Sequence, residues 1–479
     1  MAAMRNSTAP APRPLPSQRP LFRRLTGRQW LNLLWAALAA FYFTFGGWYI
    51  ATGGLCDYMG ADYRAFYASA RIATEQGFAK VYDLQVQDLY QRPLFEQCAG
   101  AVARVPYVPV PMPYLPAFAL FFLPMAPLSY IPSYFVWIAL NLGLIVLYMI
   151  RFKRALGPEN GGDILMPLLV CLPVFSNTFL GQVNGWMLIC LGEFFLLLTY
   201  GRDYTWSCRE SRLGRALTRL RTWLRRIPWL HTLGRSAADV CDWLSALLGS
   251  REFRSGLWLG GLLLKPQTLI LILPGLLLSR RFRTLLGFGC SCLLVALVSV
   301  SLAGGYGLGD LAVLILHYVR GLPTNAPEAM MNWRAVAFNL DDILPRFAWA
   351  ISMGGLIVTA GIALSLWVRP SQVSRRFPLI LFGTYAATCA ATWHSHTHML
   401  LPLIPLLLYL YAKGDIPWPI VYVWLLGPPI EFPLMLALRS DVAYNWMGLS
   451  TLALNMVLLL WVSWIVWRRE DRASLIGGW

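Results

Sequence analysis

The chain has 479 residues, 57% of them hydrophobic and only 13% charged. Soluble globular domains carry about 25% charged residues, so this composition excludes a soluble enzyme, a disordered chain and a secreted disulfide scaffold. Lys and Arg outnumber Asp and Glu 40 to 23, for a net charge of +17. The basic residues lie between apolar runs, as the cytoplasmic flanks of membrane helices do. No nucleic-acid-reading module accompanies them, so nucleic acid is not an expected partner. The apolar runs do not alternate as barrel strands would. The fold class expected is therefore an all-α polytopic membrane protein.

In chain order, residues 1–29 form a Pro-rich basic tail (Arg5, Arg13, Arg19, Arg23, Arg24, Arg28) with too little apolar content to fold. Residues 30–50 are long enough to span and lack a small-residue cleavage site. They read as a first membrane helix leaving the cytoplasm, not as a removed signal. Residues 51–111 gather Asp57, Asp62, Glu75, Asp83, Asp88 and Glu96 and form an external loop. Within it, Tyr63, Phe66, Tyr67, Ala70 and Ile72 recur at helical spacing, which predicts a short helix lying at the interface. Asp62 stands where it would cap that helix.

Residues 112–127, broken by Pro113, Pro116 and Pro124, are expected to dip into the membrane without crossing it. Spans are predicted near 131–150, 163–180 and 184–200, followed by an Arg-rich cytoplasmic loop over 202–256. Residues 257–278 are interrupted at Lys265-Pro266 and should make two short helices that go out and return. Further spans fall near 284–303, 347–368, 378–393, 400–412, 417–437 and 447–467, before a cytoplasmic tail at 468–479. This threading puts every basic cluster inside and gives about twelve passes in two modules, 30–201 and 257–467. Cys208 and Cys241 fall in the Arg-rich loop, where thiols stay reduced. Cys56 and Cys98 share the external loop, and a bridge between them is left open.

The same threading collects polar residues on the outer face. They are Asp57 and Asp62, the stretch Gly181-Gln182-Val183-Asn184, the stretch Lys265-Pro266-Gln267, the 325–342 loop with Arg334, and His394, His396 and His398. A carboxylate at the membrane–water boundary suits a general base. Lys265, an ionisable residue inside an apolar run, is costly there and thus a functional candidate; its ammonium would hold a phosphate oxygen as a point charge. Gln182 and Asn184 would hydrogen-bond sugar hydroxyls, or else glue helices together. The alternating histidines have no Cys, Asp or Glu nearby in sequence, so they read as phosphate-facing imidazoles in preference to a zinc set. No metal and no cofactor is expected. His317 reads as part of an external loop, and buried Glu193 calls for a basic partner that the sequence does not identify.

In their order, these pieces resemble glycosyltransferase family 87 of the GT-C superfamily. The matching stretches are Ala61-Asp62-Tyr63-Arg64-Ala65-Phe66-Tyr67 with Gly77 and Val81-Tyr82-Asp83, residues 107–116 with 124–128, Leu180-Gly181-Gln182-Val183-Asn184, Leu264-Lys265-Pro266-Gln267, and His394 to His398 before Leu400-Leu401-Pro402. The resemblance extends over roughly residues 30–410. It implies a GT-C fold and transfer of a sugar, mannose by analogy, from a polyprenyl phosphate donor to a glycolipid or polysaccharide acceptor. It further implies a plasma-membrane location with the site on the extracytoplasmic side. Asp62 would be the catalytic base. Lys265, His396, His398 and Arg334 would bind the donor phosphate, and Asp57, Tyr63, Tyr67, Gln182, Asn184, Gln267 and His394 would line the substrate. The chain departs from the family pattern in its three alternating imidazoles and in the long 202–256 insertion. Two rival readings remain at this level: a transporter of lipid-linked sugars and a non-catalytic envelope-assembly scaffold.

Overall fold

The computed structural model describes residues 27–52, 59–99, 107–157, 170–200, 246–320, 326–417 and 441–476, with positions 167, 219, 420 and 421 between them. Among the described residues the chain is helical and has no β-strand. The helices are α1 (Gly27–Ala51), α2 (Ala61–Glu75), α3 (Leu84–Ala99), α4 (Pro116–Ala119), α5 (Tyr130–Leu156), α6 (Leu172–Leu180), α7 (Asn184–Thr199), α8 (Arg251–Leu259), α9 (Ile272–Leu278), α10 (Phe282–Arg320), α11 (Trp333–Leu340), α12 (Ala348–Ser365), α13 (Pro370–Ala391), α14 (Ile404–Ala412) and α15 (Asp441–Ile476).

Five of these, α1, α5, α10, α12 and α15, are long and apolar enough to cross a bilayer, and each overlaps a span expected from hydropathy. The pass expected at 417–437, part of that at 163–180 and most of the 202–256 loop lie outside the described residues, as do Asp57 and Cys56. Exposure separates two kinds of apolar helix. α10 and α12 present Leu293, Leu294, Leu297 and Ile357 outward, whereas α7, α13 and α14 are buried on nearly all sides. A helix that is apolar all round belongs inside a bundle, and these three form its centre. Phe195 meets Tyr409 edge-on at 4.8 Å, and Phe194 meets Phe377 at 5.9 Å. Glu193 sits in this interior, and its partner is Arg151 at the end of α5, 2.9 Å away.

The Pro-rich 112–127 stretch forms only the short α4 and a 3-10 turn, Leu123–Met125, because each proline removes a backbone donor and interrupts the ladder. The 251–281 region leaves and returns. Arg281 Nη1 lies 3.9 Å from Glu252 Oε1, so the two ends of the excursion sit together. Ser291 on α10 donates to the Leu257 carbonyl at 3.0 Å and packs the outgoing arm. The helix breaks at Lys265, whose φ and ψ are −134° and 80°, between the 3-10 turns Gly260–Leu264 and Pro266–Leu269. Lys265 is therefore at the tip.

Three expectations need correction. α2 is not laid on an interface: ten of its fifteen residues, from Tyr63 to Ala73, are buried under α3, α5 and the 107–128 segment. Its aromatic residues found partners, with Phe66 stacked on Phe122 at 4.5 Å and Tyr63 on Trp137 at 6.2 Å; such pairs contribute about 0.5–1.5 kcal/mol each beyond area burial. Asp62 does not cap α2. The cap position is Gly60, and Asp62 occupies the first turn, where its carboxylate faces another chain segment. His317 belongs to helix, not loop, because α10 kinks at Gly304 and continues to Arg320.

Candidate active site

The site begins with a turn. α6 ends at Gly181, and the chain enters α7 through Gln182 and Val183. Gly181 has φ +72°, a left-handed conformation open to glycine. It also abuts α2: a Cβ at Gly181 would come within 2.6 Å of Tyr63 Cβ. Gly60, with φ +76°, lets α2 start against the same turn, its N–H donating to the Phe179 carbonyl at 2.8 Å. Two glycines thus bring the start of α2 and the α6–α7 turn into backbone contact. Tyr134 OH donates to the Phe179 carbonyl at 2.9 Å, and Trp137 Nε1 donates to the Gly181 carbonyl at 2.9 Å.

That contact places Gln182 beside Asp62, 120 residues earlier in the chain. Gln182 Nε2 donates to Asp62 Oδ2 at 2.6 Å, and Lys265 Nζ donates to Gln182 Oε1 at 2.9 Å. The Lys265 ammonium is donor-only, so it must meet the amide oxygen, and this orientation turns the amide N–H group toward Asp62. Gln182 and Lys265 are buried, while Asp62 is half-buried. Burial raises the Asp62 carboxyl above the ordinary carboxylate range. The Gln182 hydrogen bond and the charges of Lys265 and Arg64 offset part of that rise.

The histidine stretch supplies the opposite wall. The chain leaves α13 extended, so His394 and His396 come to the same side, with ring centroids 4.9 Å apart, and His396 lies 5.9 Å from His398. His398 is buried, and among the described residues its Nδ1 has no hydrogen-bond partner. Burial, with the nearby positive charges of Lys265 and the neighbouring imidazoles, pushes His398 well below the usual histidine range. His394 is depressed by burial, His396, Lys265 and Arg334. These two rings are therefore neutral at physiological pH and act as single N–H donors, not as cations. Arg334, in the first turn of α11, lies 4.4 Å from the Trp393 ring centroid. Asn332 joins the two loops. Its Nδ2 donates to the Thr392 carbonyl at 2.9 Å, its Oδ1 accepts from Ala335 N at 3.1 Å, and Met331 N donates to the Ser395 carbonyl at 3.0 Å. Among the described residues no three His, Cys, Asp or Glu converge as a metal-ligand set.

The structure thus gathers Asp62, Gln182, Lys265, Arg334 and the three histidines on one side of the bundle. Asn184 belongs to the frame: it is buried, and its Nδ2 donates to the His398 carbonyl at 3.1 Å. Tyr67 donates to the Leu128 carbonyl at 2.7 Å, and Tyr63 is stacked among aromatic rings, so both hold α2. Gln267 is half-buried beside the hairpin tip. Sequence reasoning gave no role to Arg64, buried against Phe95 and Tyr107 and donating to the Val108 carbonyl at 3.3 Å. A charge set in an otherwise aromatic helix was the available signal. Nothing in the sequence singled out Asn332.

Residues 113–217 match the model of glycosyltransferase family 87. The matched segment covers α4 to α7 and includes the Gly181-Gln182-Val183-Asn184 turn, and it bears out the resemblance over those residues. No curated protein and no solved structure matches the chain.

Proposed function

We propose that this protein is a membrane glycosyltransferase that moves a sugar, mannose by analogy with the family it resembles, from a polyprenyl phosphate donor to a hydroxyl of an envelope glycolipid or polysaccharide, with Asp62 as general base. The observation that carries the reading is the juxtaposition of one half-buried carboxylate with a wall of Lys265, Arg334 and imidazole N–H donors.

The chemistry needs these two parts. A sugar hydroxyl is a weak nucleophile at neutral pH, and a carboxylate that accepts its proton as the new glycosidic bond forms contributes about 10²–10⁴-fold. Burial raises the carboxyl and makes its ionised form a stronger base, while Gln182, Lys265 and Arg64 favour that ionised form. The leaving phosphate takes the electron pair of the broken C–O bond and needs no proton. It needs charge stabilisation, which Lys265 and Arg334 supply as cations and neutral His394 and His398 supply as donors. Among the described residues Asp62 is the one carboxylate at the site, and a single base implies a direct displacement that inverts the sugar carbon. A lipid-borne donor explains the placement of the site in an apolar bundle. The reading includes a plasma-membrane location with the site on the extracytoplasmic side.

The test is transfer of radiolabelled mannose from polyprenyl-phosphate-mannose by purified protein in nanodiscs, wild type beside Asp62→Asn, with and without chelator. Transfer by wild type alone is the expected result. Equal turnover in the two proteins removes Asp62 as the base. Movement of a fluorescent lipid-linked sugar across the bilayer without its consumption would favour the transporter reading.

A further inference from the structure

Gln182 has both ends of its amide engaged by protein, and its backbone is held as tightly. Its N–H donates to the Asn177 carbonyl at 2.8 Å, and its carbonyl accepts from the Asn141 side chain. Only the second N–H and the second lone pair of this amide are left for a sugar hydroxyl, and Gln182 is buried. Asp62, in contrast, stands half-buried at the first turn of α2, and among the described residues its carboxylate takes its hydrogen bond from Gln182. A carboxylate with two rotatable bonds and a solvated side needs such a partner to aim one oxygen at an acceptor. Lys265, at the tip of the 251–281 hairpin, spends one of its three donors on the amide and keeps the others for a phosphate.

We propose that Gln182 is the positioning residue of the Asp62 carboxylate, fixed by Lys265 and fixing Asp62, and not a ligand of the sugar. This rests on the assignment of Asp62 as the base. The groups facing Asp62 are the Gln182 amide and the charges of Lys265 and Arg64. Removing the amide donor removes one of the three influences that favour the ionised carboxylate, so Asp62 then titrates at higher pH. One side chain thus ties the cation on the donor side to the base on the acceptor side.

The test uses the full chain in nanodiscs. The protonation of Asp62 is followed by infrared difference titration, with Asp62→Asn identifying its carboxyl band. Gln182→Met is the principal variant. Gln182→Leu also removes the donor to Asp62 without adding a charge, so it serves if the methionine variant fails to fold. The expected result is an upward shift of the Asp62 titration by about one pH unit. With polyprenyl-phosphate-mannose, kcat falls by roughly 10²-fold while KM changes little. An unmoved titration, or a loss confined to KM, overturns the proposal and returns Gln182 to the substrate. The Asp62→Asn turnover separates the two failures. If that variant keeps activity, the base assignment falls. If it is inactive while Gln182→Met leaves the titration in place, only the positioning role falls.

Discussion

The two walls of the site are built on opposite terms. On the base side, the α6–α7 turn is tied across the bundle: Gly181, Gln182 and Asn184 each make hydrogen bonds to other elements, and Gln182 and Asn184 are buried. On the histidine side, His394 and His396 are half-buried, and His398 keeps a buried ring nitrogen with no hydrogen-bond partner among the described residues. A buried polar atom left without a partner costs about 1–3 kcal/mol, a cost that a bound phosphate oxygen would offset. The contrast is between a buried turn tied to other elements by hydrogen bonds and a stretch whose half-buried imidazoles stand open to a ligand.

The largest effect that can break this comparison is Asp62→Asn. It should lower kcat by about 10²–10⁴-fold with an unchanged melting temperature, checked by turnover and thermal unfolding of the same preparation. Next is Gly181→Val. With φ +72° and Tyr63 Cβ in the way, a branched side chain should cost about 1–3 kcal/mol, read as lower thermal stability together with lost activity. A variant of normal stability would show that the turn is not the rigid wall described here. The pH profile sharpens the comparison further. Asp62 must be ionised to act, and its carboxyl is raised, so kcat/KM is expected to fall as pH drops through a value above the ordinary carboxylate range. Lys265→Met removes a charge that favours ionisation and should move that limb to higher pH.

Smaller effects belong to the receiving wall. His396→Ala should raise KM for polyprenyl-phosphate-mannose by about tenfold, one hydrogen bond to a charged group in magnitude, and leave the acidic limb in place. A moved limb would mean that the two walls are not independent. The smallest is Asn332→Ala. Loss of the α11 cap should cost about 1 kcal/mol, seen as a modest fall in melting temperature, with the linked His394–His398 loop loosened.

Much of the fold was legible because apolar length is a local property. The five described helices long and apolar enough to span, the prolines that stop the 112–127 stretch and the break at Lys265-Pro266 all follow from composition and backbone chemistry. The site was legible as a set of residue types. Asp62, Lys265 and the histidines stood out because charge and imidazole are scarce in an apolar chain. Their pairings were not legible. The partner of Glu193 proved to be Arg151, and Gln182, read as a sugar ligand or as helix glue, also bridges Asp62 and Lys265.

What the sequence determined by itself was the all-helical membrane class, the candidate chemistry and the likeness to a glycosyltransferase family. Each rests on local periodicity, on scarcity of charge or on short motifs. Only the tertiary structure decided that α2 is buried instead of interfacial and that Asn332 fastens the α11 loop to the histidines. It also decided that one amide stands between the base and the lysine. These are contacts between segments 60 to 120 residues apart. Hydropathy carries no information about which distant polar groups meet. That is settled when burial forces each of them to find a hydrogen-bond partner.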